Sequence, residues 1–133
     1  MHVFVADIHI RPGNTFDSRR FISWLTAIKD QAAAIYILGD LFDYWYTGLE
    51  SRTGDVLDAL RSPQVHLMTG NRDFLLKNAR TDTINIIHAE ERIITLFDKE
   101  ILIAHGHTLT NADTGFKILH RYGWPVLAYI DKF

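Results

Sequence analysis

The sequence has no cysteine, and this absence excludes disulfide bonds, thiolate catalysis and zinc–thiolate sites. No apolar run approaches the roughly 20 residues that a membrane-spanning helix requires; the longest small or apolar stretch is 32–39. Residues 1–4 lack the charged and then apolar layout of a signal peptide. The net charge of −2 argues against a protein that holds nucleic acid through a basic surface. We therefore expect a cytoplasmic protein that binds no nucleic acid.

Short apolar segments alternate with segments of helical periodicity along the chain. Its 133 residues, 47% of them hydrophobic, suit one domain with a buried core. Apolar runs without polar alternation are typical of parallel strands covered on both faces. This order predicts an α/β fold whose sheet is parallel at its start. The expected strands are 3–6, 35–38 and 65–68, followed by an apolar segment at 84–87; helices are expected at 17–31, around 56–60 and at 74–78, and a hairpin joins 93–96 to 101–104 through 97–100.

Polar residues stand directly after four of the apolar segments. They are separated by 33, 31 and 34 residues, close to the roughly 30 of one strand–helix–strand unit, and they are Asp7, Asp40, Asn71 and His105. Because the carboxyl ends of parallel strands meet at one edge of a sheet, we expect these side chains to converge on one crevice. His9 stands two residues after Asp7, and both side chains point to the same side if the extended geometry persists.

Each of these residues alone has an ordinary explanation. An aspartate such as Asp7 or Asp40 could cap a helix, Asn71 follows a glycine as turn residues often do, and a histidine can simply end a strand. Their conjunction is different, because carboxylates, imidazoles and an amide oxygen at matched strand ends do not follow from turn chemistry. Oxygen and imidazole donors without sulfur suit Mn²⁺, Fe²⁺ or Zn²⁺. A central carboxylate can bridge two ions, and a two-metal site clamps a phosphoryl group for in-line attack.

The same residues lie in four motifs that characterise a known family. The motifs are D-x-H at 7–9, G-D-x-x-D at 39–43, G-N-[H/R]-[D/E] at 70–73 and H-G at 105–106. With these motifs in this order, the chain resembles the calcineurin-like metallophosphoesterases from residue 3 to about residue 120. The amino-acid sequences of segments 36–45 and 70–76 are most similar to one branch of this family, the UDP-2,3-diacylglucosamine hydrolases (pyrophosphatases) of lipid A biosynthesis.

The resemblance implies a fold, a metal pair and a reaction. The fold is a metallophosphoesterase-type layered α/β sheet with flanking helices, and the cofactors are two divalent ions, most often Mn²⁺. Asp7 and His9 would bind the first ion, and Asn71 and His105 the second. Asp40 would bridge both. A metal-bridging hydroxide would hydrolyse UDP-2,3-diacylglucosamine to UMP and 2,3-diacylglucosamine 1-phosphate. The partner would be this nucleotide-sugar lipid, met in the cytoplasm or at the periphery of the inner membrane.

Arg72 stands where many members of the resembled family have a histidine that protonates the leaving group or stabilises the transition state. An arginine does not donate a proton at neutral pH, but its planar guanidinium grips phosphate oxygens. A pyrophosphate substrate explains the exchange, because its phosphate monoester leaving group has a pKa of roughly 6 and leaves without protonation. We expect Asn71 and Arg72 to be catalytic. The alternative for Arg72 is a solvated charge beside a turn.

Other residues near the motifs have two interpretations each. Trp45 either lines a substrate wall or belongs to the core. Lys77 and Arg80 either extend a phosphate-binding surface with Arg72 or are exposed helix charges. His107 stands where the resembled branch usually has an acid, and we expect it to face solvent rather than bind metal. Two further carboxylates are expected to support the ligands or to cap, namely Asp43 and Asp73.

The sequence departs from the resembled family in its last motif. That family ends with a G-H-x-H block that gives one histidine to each metal, and the sequence does not contain it. We therefore expect 1–133 to form one domain that lacks the C-terminal part of the fold. The segment 110–133, a helix with a break at 124–125, would begin a helical cap over the lipid. The missing strands would leave sheet edges and apolar surface uncovered. We therefore expect the chain to self-associate, or to be a fragment or a shortened paralogue.

Three functions stay open at this point. The first is the pyrophosphatase of lipid A biosynthesis, and the second is a general phosphodiesterase or phosphatase of the same family. The third is an inactive or incomplete metal-binding module that acts through association with another chain. The missing G-H-x-H block favours the third, whereas the five retained ligand positions favour the first.

Overall fold

The structure, a computed structural model, describes residues 1–79, 83–107 and 119–132. The first three strands lie within one residue of their predicted bounds, and strands and helices alternate as predicted for an α/β fold. The elements are β1 (His2–Val5), α1 (Thr15–Lys29), β2 (Ala34–Leu38), α2 (Glu50–Ala59), β3 (Val65–Met68), a 3-10 helix (Phe74–Asn78), β4 (Asn85–Ile87), β5 (Glu91–Leu96), β6 (Lys99–Ala104), a π-helical turn (Leu119–Gly123) and α3 (Trp124–Ile130).

Strands β1 to β4 form a parallel sheet with neighbours in chain order, so the predicted parallel sheet is confirmed. Its central strands are apolar because both faces are covered, and Ile35 and Leu67 have no exposed surface. All four strands run in the same direction, so their carboxyl ends meet at one edge. The segments that carry Asp7, Asp40 and Asn71 begin at that edge.

Helices α1 and α2 cover one face of this sheet. Helix α1 packs Phe21 and Leu25 into the main core, and α2 contributes Val56. Asn14 caps α1 by accepting hydrogen bonds from the amides of Phe16 (3.0 Å) and Asp17 (3.1 Å). This cap is the reason that α1 begins at Thr15, two residues before its predicted start.

The hairpin of β5 and β6 covers part of the other face, where Ile103 packs with Met68 and Ile87. The predicted hairpin is confirmed, but its turn is the two residues 97–98, because residues 99 and 100 pair with β5. The expectation that His105, like Asp7, Asp40 and Asn71, follows a parallel strand covered on both faces is wrong, because β6 pairs antiparallel with β5 and only Ile103 is buried in it. The outer face of the hairpin is exposed.

The terminal segment is described only from residue 119 to residue 132. The predicted helix start near residue 110 therefore lies outside the described residues. The π-helical turn ends at Gly123 and α3 begins at Trp124 with a proline in its first turn, at the predicted break. Within the described ranges, no helix is long and apolar enough to cross a membrane.

Candidate metal centre

The segments that follow β1 and β2 pair with each other beyond the sheet. The amide of Asp7 donates to the carbonyl of Gly39 (3.2 Å), and the amide of His9 donates to the carbonyl of Asp40 (3.0 Å). These bonds hold the D-x-H and G-D-x-x-D motifs side by side. The backbone therefore brings the two motifs together before any side-chain contact is considered.

Asp7, His9 and Asp40 all have a left-handed backbone, with φ values of 54°, 54° and 50°. The expectation that 7–9 stay extended is therefore wrong, although His9 Nε2 still lies 3.6 Å from Asp7 Oδ1. The left-handed conformation costs roughly 1–2 kcal/mol for a residue with a Cβ. Three such residues on two adjoining segments indicate that this backbone serves the placement of their side chains rather than stability.

Donor atoms of Asp7, His9 and Asp40 lie within 4.8 Å of one another. The Asp40 side chain is 4% exposed and that of Asp7 is 62% exposed, so the group extends from the interior to the surface. Two carboxylates and one imidazole are a donor set that Mn²⁺, Fe²⁺ and Zn²⁺ accept. The residues present therefore fit a divalent metal ion.

His105 reaches the same edge from the end of β6. Its Nδ1 lies 2.7 Å from the carbonyl oxygen of Leu38, so the Nδ1 proton is donated there and Nε2 faces the site. Nε2 lies 3.1 Å from Asn71 Oδ1 and 3.6 Å from Asp40 Oδ2. Asp40 thus belongs to the group of donors with Asp7 and His9 and also lies next to His105, which contacts Asn71.

Asp40 and His105 shift each other's pKa. Burial raises the pKa of the Asp40 carboxyl, but the polar contact with His105 and the hydrogen bond from the Arg72 amide outweigh it, and the pKa falls below its usual value. The contact with the Asp40 carboxylate raises the pKa of His105 in spite of the burial of the ring. Without metal the pair therefore favours carboxylate and imidazolium, and a metal ion bound by His105 must displace a proton.

Arg72 lies beside the same carboxylates. Its amide donates to Asp40 Oδ1 (2.9 Å), and its guanidinium donates to Asp43 Oδ1 (2.7 Å). The same oxygen of Asp43 lies 3.5 Å from His9 Nδ1, so one carboxylate contacts both an arginine and a candidate ligand. The Arg72 side chain is 51% exposed, which leaves its guanidinium accessible to a ligand at this edge.

Asp73 is fully buried behind the site. Its Oδ1 accepts a hydrogen bond from the amide of Gly70 (2.8 Å), and its Oδ2 accepts one from the amide of Phe42 (3.1 Å). Burial raises the pKa of Asp73 to about 6, although these hydrogen bonds oppose the shift. Asp73 therefore ties the segment that carries Asn71 to the segment that carries Asp40.

At two glycine positions of the motifs, steric crowding leaves no room for a side chain. A Cβ at Gly70 would collide with the carboxylate and the amide of Asp40. A Cβ at Gly39 would collide with the ring of His105, and the φ of 92° at Gly39 is itself unfavourable for other residues. The close approach of the segment with Asn71 to Asp40, and of His105 to the segment with Asp40, thus depends on the absence of side chains at both positions.

Residues 3–129 match the sequence profile of the family described as calcineurin-like phosphoesterase. The chain belongs to this family. Proteins named UDP-2,3-diacylglucosamine hydrolase from Photorhabdus laumondii and Haemophilus influenzae (strain PittGG) are similar to it, at 33% identity over 123 residues and 32% over 126 residues. The alignments cover 86% and 89% of this chain but 51% and 53% of those proteins, so the chain spans about half the length of the curated relatives it matches.

A solved structure, that of Yfce, a phosphoesterase from E. coli, has a TM-score of 0.52 and 23% identity with this calcineurin-like chain. The match covers 80% of this chain and 58% of that one. At this identity the likeness shows the fold alone. It agrees with the layered α/β sheet that the resemblance implies.

The structure of this phosphoesterase-family chain decides the expected roles of some residues near the motifs and leaves those of others open. Trp45 is 2% exposed and packs in the main core, so the core interpretation is correct and the substrate wall is wrong. The expectation that His107 faces solvent is also wrong, because its ring nitrogens are buried and its ring lies 5.5 Å from that of Trp124. Lys77 is exposed and borders a cavity of about 150 Å³ next to Gly70. Arg80 lies outside the described residues.

The hydrogen bonds that hold helix α3 could not be predicted from the sequence. Asp131, after α3, accepts hydrogen bonds from the amide (2.7 Å) and the hydroxyl (2.8 Å) of Thr47 and from the side chain of Asn78 (3.2 Å). These partners lie 84 and 53 residues away, and no local periodicity indicates such a contact. Helix α3 is thereby fastened to the loop after β2 and to the 3-10 helix.

Proposed function

We propose that this chain carries the active site of a metal-dependent pyrophosphatase, most similar to the UDP-2,3-diacylglucosamine hydrolases. The substrate would be UDP-2,3-diacylglucosamine, and the products would be UMP and 2,3-diacylglucosamine 1-phosphate. The observation that carries the proposal is the position of Asp40, whose buried carboxylate lies close to Asp7 and His9 and also 3.6 Å from His105, which in turn contacts Asn71. The names of the relatives supply the substrate.

The donor set supports two divalent ions, and we propose Mn²⁺. The first ion would be held by Asp7, His9 and Asp40. The second would be held by Asp40, Asn71 and His105. Bound ions would supply positive charge next to the phosphoryl oxygens and lower the pKa of water at the site. The hydrogen bond from His105 Nδ1 to Leu38 supports this assignment, because it leaves Nε2 available as a ligand.

Arg72 is proposed to bind the phosphate oxygens of the substrate. Its amide already fixes Asp40, and its half-exposed guanidinium contacts Asp43 at 2.7 Å. A guanidinium holds two oxygens of one phosphate in a planar fork, and this fixes the phosphorus for in-line attack. The leaving phosphate monoester has a pKa of roughly 6, so no side chain has to protonate it.

The terminal segment is proposed to be the beginning of a cap over the lipid part of the substrate. Helix α3 exposes Val126, Leu127 and Ile130, which are 56%, 45% and 62% exposed. Asp131 fastens this helix to the loop after β2, which follows directly from the Asp40 motif. The same exposed apolar surface would allow contact with the periphery of the inner membrane, which we propose from the cytoplasmic side, or self-association.

The test is hydrolysis by the purified chain with Mn²⁺, using UDP-2,3-diacylglucosamine and the generic substrate bis(p-nitrophenyl) phosphate. Asp40→Asn removes the bridging carboxylate at nearly constant volume, and Asp58→Asn, a change at an exposed carboxylate on α2, is the control. We expect Asp40→Asn to lower the rate at least 100-fold and Asp58→Asn to leave it unchanged.

Each other outcome of this assay points to a different function. Preference for the aryl diester over the UDP lipid, with loss in Asp40→Asn, would support a general phosphodiesterase. Equal rates for wild type and Asp40→Asn would refute a role of Asp40 in the activity. Fewer than about one Mn²⁺ per chain after dialysis, together with no activity, would indicate an incomplete metal-binding module.

A further inference from the structure

A cavity of about 460 Å³ opens next to the candidate metal centre, between the segment after β1 and helix α1. Its apolar lining includes Ile8, Phe21 and Trp24, and the rings of Phe21 and Trp24 lie 5.8 Å apart at an angle of 37°. His9 lines the cavity as well as belonging to the group of metal donors. A ligand in the cavity would therefore extend from an aromatic wall to the metal centre.

The polar residues around the cavity are not equivalent. Arg11 donates through Nε to Asp17 (2.9 Å), so its guanidinium already has an anionic partner. Arg20 is exposed, lines the same cavity and forms neither a hydrogen bond nor an ion pair with any residue that the structure describes. The cavity thus combines an aromatic wall with an exposed guanidinium that forms no ion pair with a described carboxylate, although its positive charge helps to lower the pKa of Asp17.

We propose that this cavity binds the nucleoside monophosphate half of the substrate, with Arg20 contacting its phosphate and Trp24 its base. This inference rests on the proposed function and assigns it a nucleotide subsite. A guanidinium recognises phosphate oxygens, and an indole packs against the face of a base. The lipid half of the substrate would then extend from the metal centre in the opposite direction, away from α1.

The test is calorimetric titration of UMP into the full chain in EDTA, so that no metal contributes to binding. Arg20→Gln is compared with Arg19→Gln, because both remove one exposed positive charge from α1 and only Arg20 lines the cavity. Uridine and inorganic phosphate are titrated separately. We expect Arg20→Gln to weaken UMP binding about tenfold or more, Arg19→Gln less than twofold, and Trp24→Leu to weaken both UMP and uridine.

Three results would overturn the subsite: no saturable binding of UMP, equal effects of Arg20→Gln and Arg19→Gln, or phosphate alone binding as tightly as UMP. Because Trp24 also contacts the core, the conclusion is drawn from the pair of arginine variants if Trp24→Leu does not fold. The binding test is independent of the activity test. UMP binding through Arg20 without hydrolysis would keep the subsite and refute the proposed function, whereas Asp40-dependent hydrolysis without UMP binding would refute the subsite alone.

Discussion

Asp40 Oδ2 and His105 Nε2 lie 3.6 Å apart, although Asp40 follows a strand of the parallel sheet and His105 follows a strand of the hairpin. The side chain of His105 is 6% exposed and that of Asp40 is 4% exposed, so the contact is shielded from water. A carboxylate and an imidazole buried at this distance stabilise each other's charged form. The candidate metal centre therefore also joins the two sheets.

Gly70→Ala is expected to weaken metal binding, because its Cβ would occupy the space of the Asp40 carboxylate and amide. Displacement of Asp40 would affect both proposed ions. We expect the affinity for Mn²⁺ to fall at least tenfold, measured by titration calorimetry. Gly54→Ala is the control, because Gly54 lies in α2 with open space around its Cβ.

The control variant Gly54→Ala has an expected effect of its own. An alanine in a helix interior is favoured over glycine by about 0.5–1 kcal/mol, so Gly54→Ala is expected to stabilise the fold and leave Mn²⁺ affinity unchanged. Wild-type affinity in Gly70→Ala would contradict the assignment of Asp40 as the shared ligand.

Asp73 makes the metal-free protein less stable as the pH rises. Its pKa is about 6 in the fold against a usual value of 3.8, so the folded state binds more protons than the unfolded state between these values. The free energy of unfolding must then fall between about pH 4 and pH 6, by up to roughly 3 kcal/mol from this group. Urea unfolding in EDTA at several pH values measures the slope.

Asp73→Asn isolates this contribution from the other titrating groups. An asparagine does not ionise, so the slope between pH 4 and 6 is expected to become smaller. At pH 4 the folded Asp73 is protonated, and its hydroxyl oxygen can still accept from one of the amides of Gly70 and Phe42, whereas the amide nitrogen of an asparagine cannot, so the variant should lose about 1–3 kcal/mol at pH 4. An unchanged slope in Asp73→Asn would show that another group causes the pH dependence.

Much of the fold follows from the sequence. Buried parallel strands are read directly as apolar runs, and β3 is predicted at the bounds that the structure has. The first three motifs also predict which segments adjoin, because the carboxyl ends of parallel strands share one edge. The left-handed backbone at Asp7, His9 and Asp40 was beyond prediction, since its cause is the pairing of two segments that lie far apart in the chain.

Long-range contacts set the other limit of sequence reasoning. The bond from His105 to the carbonyl of Leu38 spans 67 residues, and backbone carbonyls leave no trace in a motif. Trp45 shows the same limit, because its place beside the Asp40 motif allowed either substrate contact or a place in the core, and only the structure shows that its ring packs in the core. Proximity along the chain therefore does not distinguish a side chain that faces the site from one that supports it.

Arg72→Lys is expected to lower kcat of the proposed pyrophosphatase at least tenfold while Mn²⁺ affinity stays near wild type. A lysine keeps the charge and the amide that binds Asp40, but it loses the planar fork that holds two phosphate oxygens. Arg61→Lys on the protein surface is the matched control. Wild-type kcat in Arg72→Lys would show that charge alone suffices at this position.

Asp131→Ala is expected to release α3 from the loop after β2. The variant removes the acceptors of three hydrogen bonds, two from Thr47 and one from Asn78. Bonds to a charged acceptor contribute about 1.5–3 kcal/mol when buried and less when exposed, so we expect a local loss of about 1 kcal/mol. Hydrogen exchange at the amide of Thr47 should then accelerate roughly fivefold.

Lys132→Ala, one residue further on, is the control and should leave this exchange unchanged. Equal exchange in both variants would show that α3 is held by the stacking of Trp124 on Phe74, whose rings lie 4.3 Å apart, rather than by Asp131.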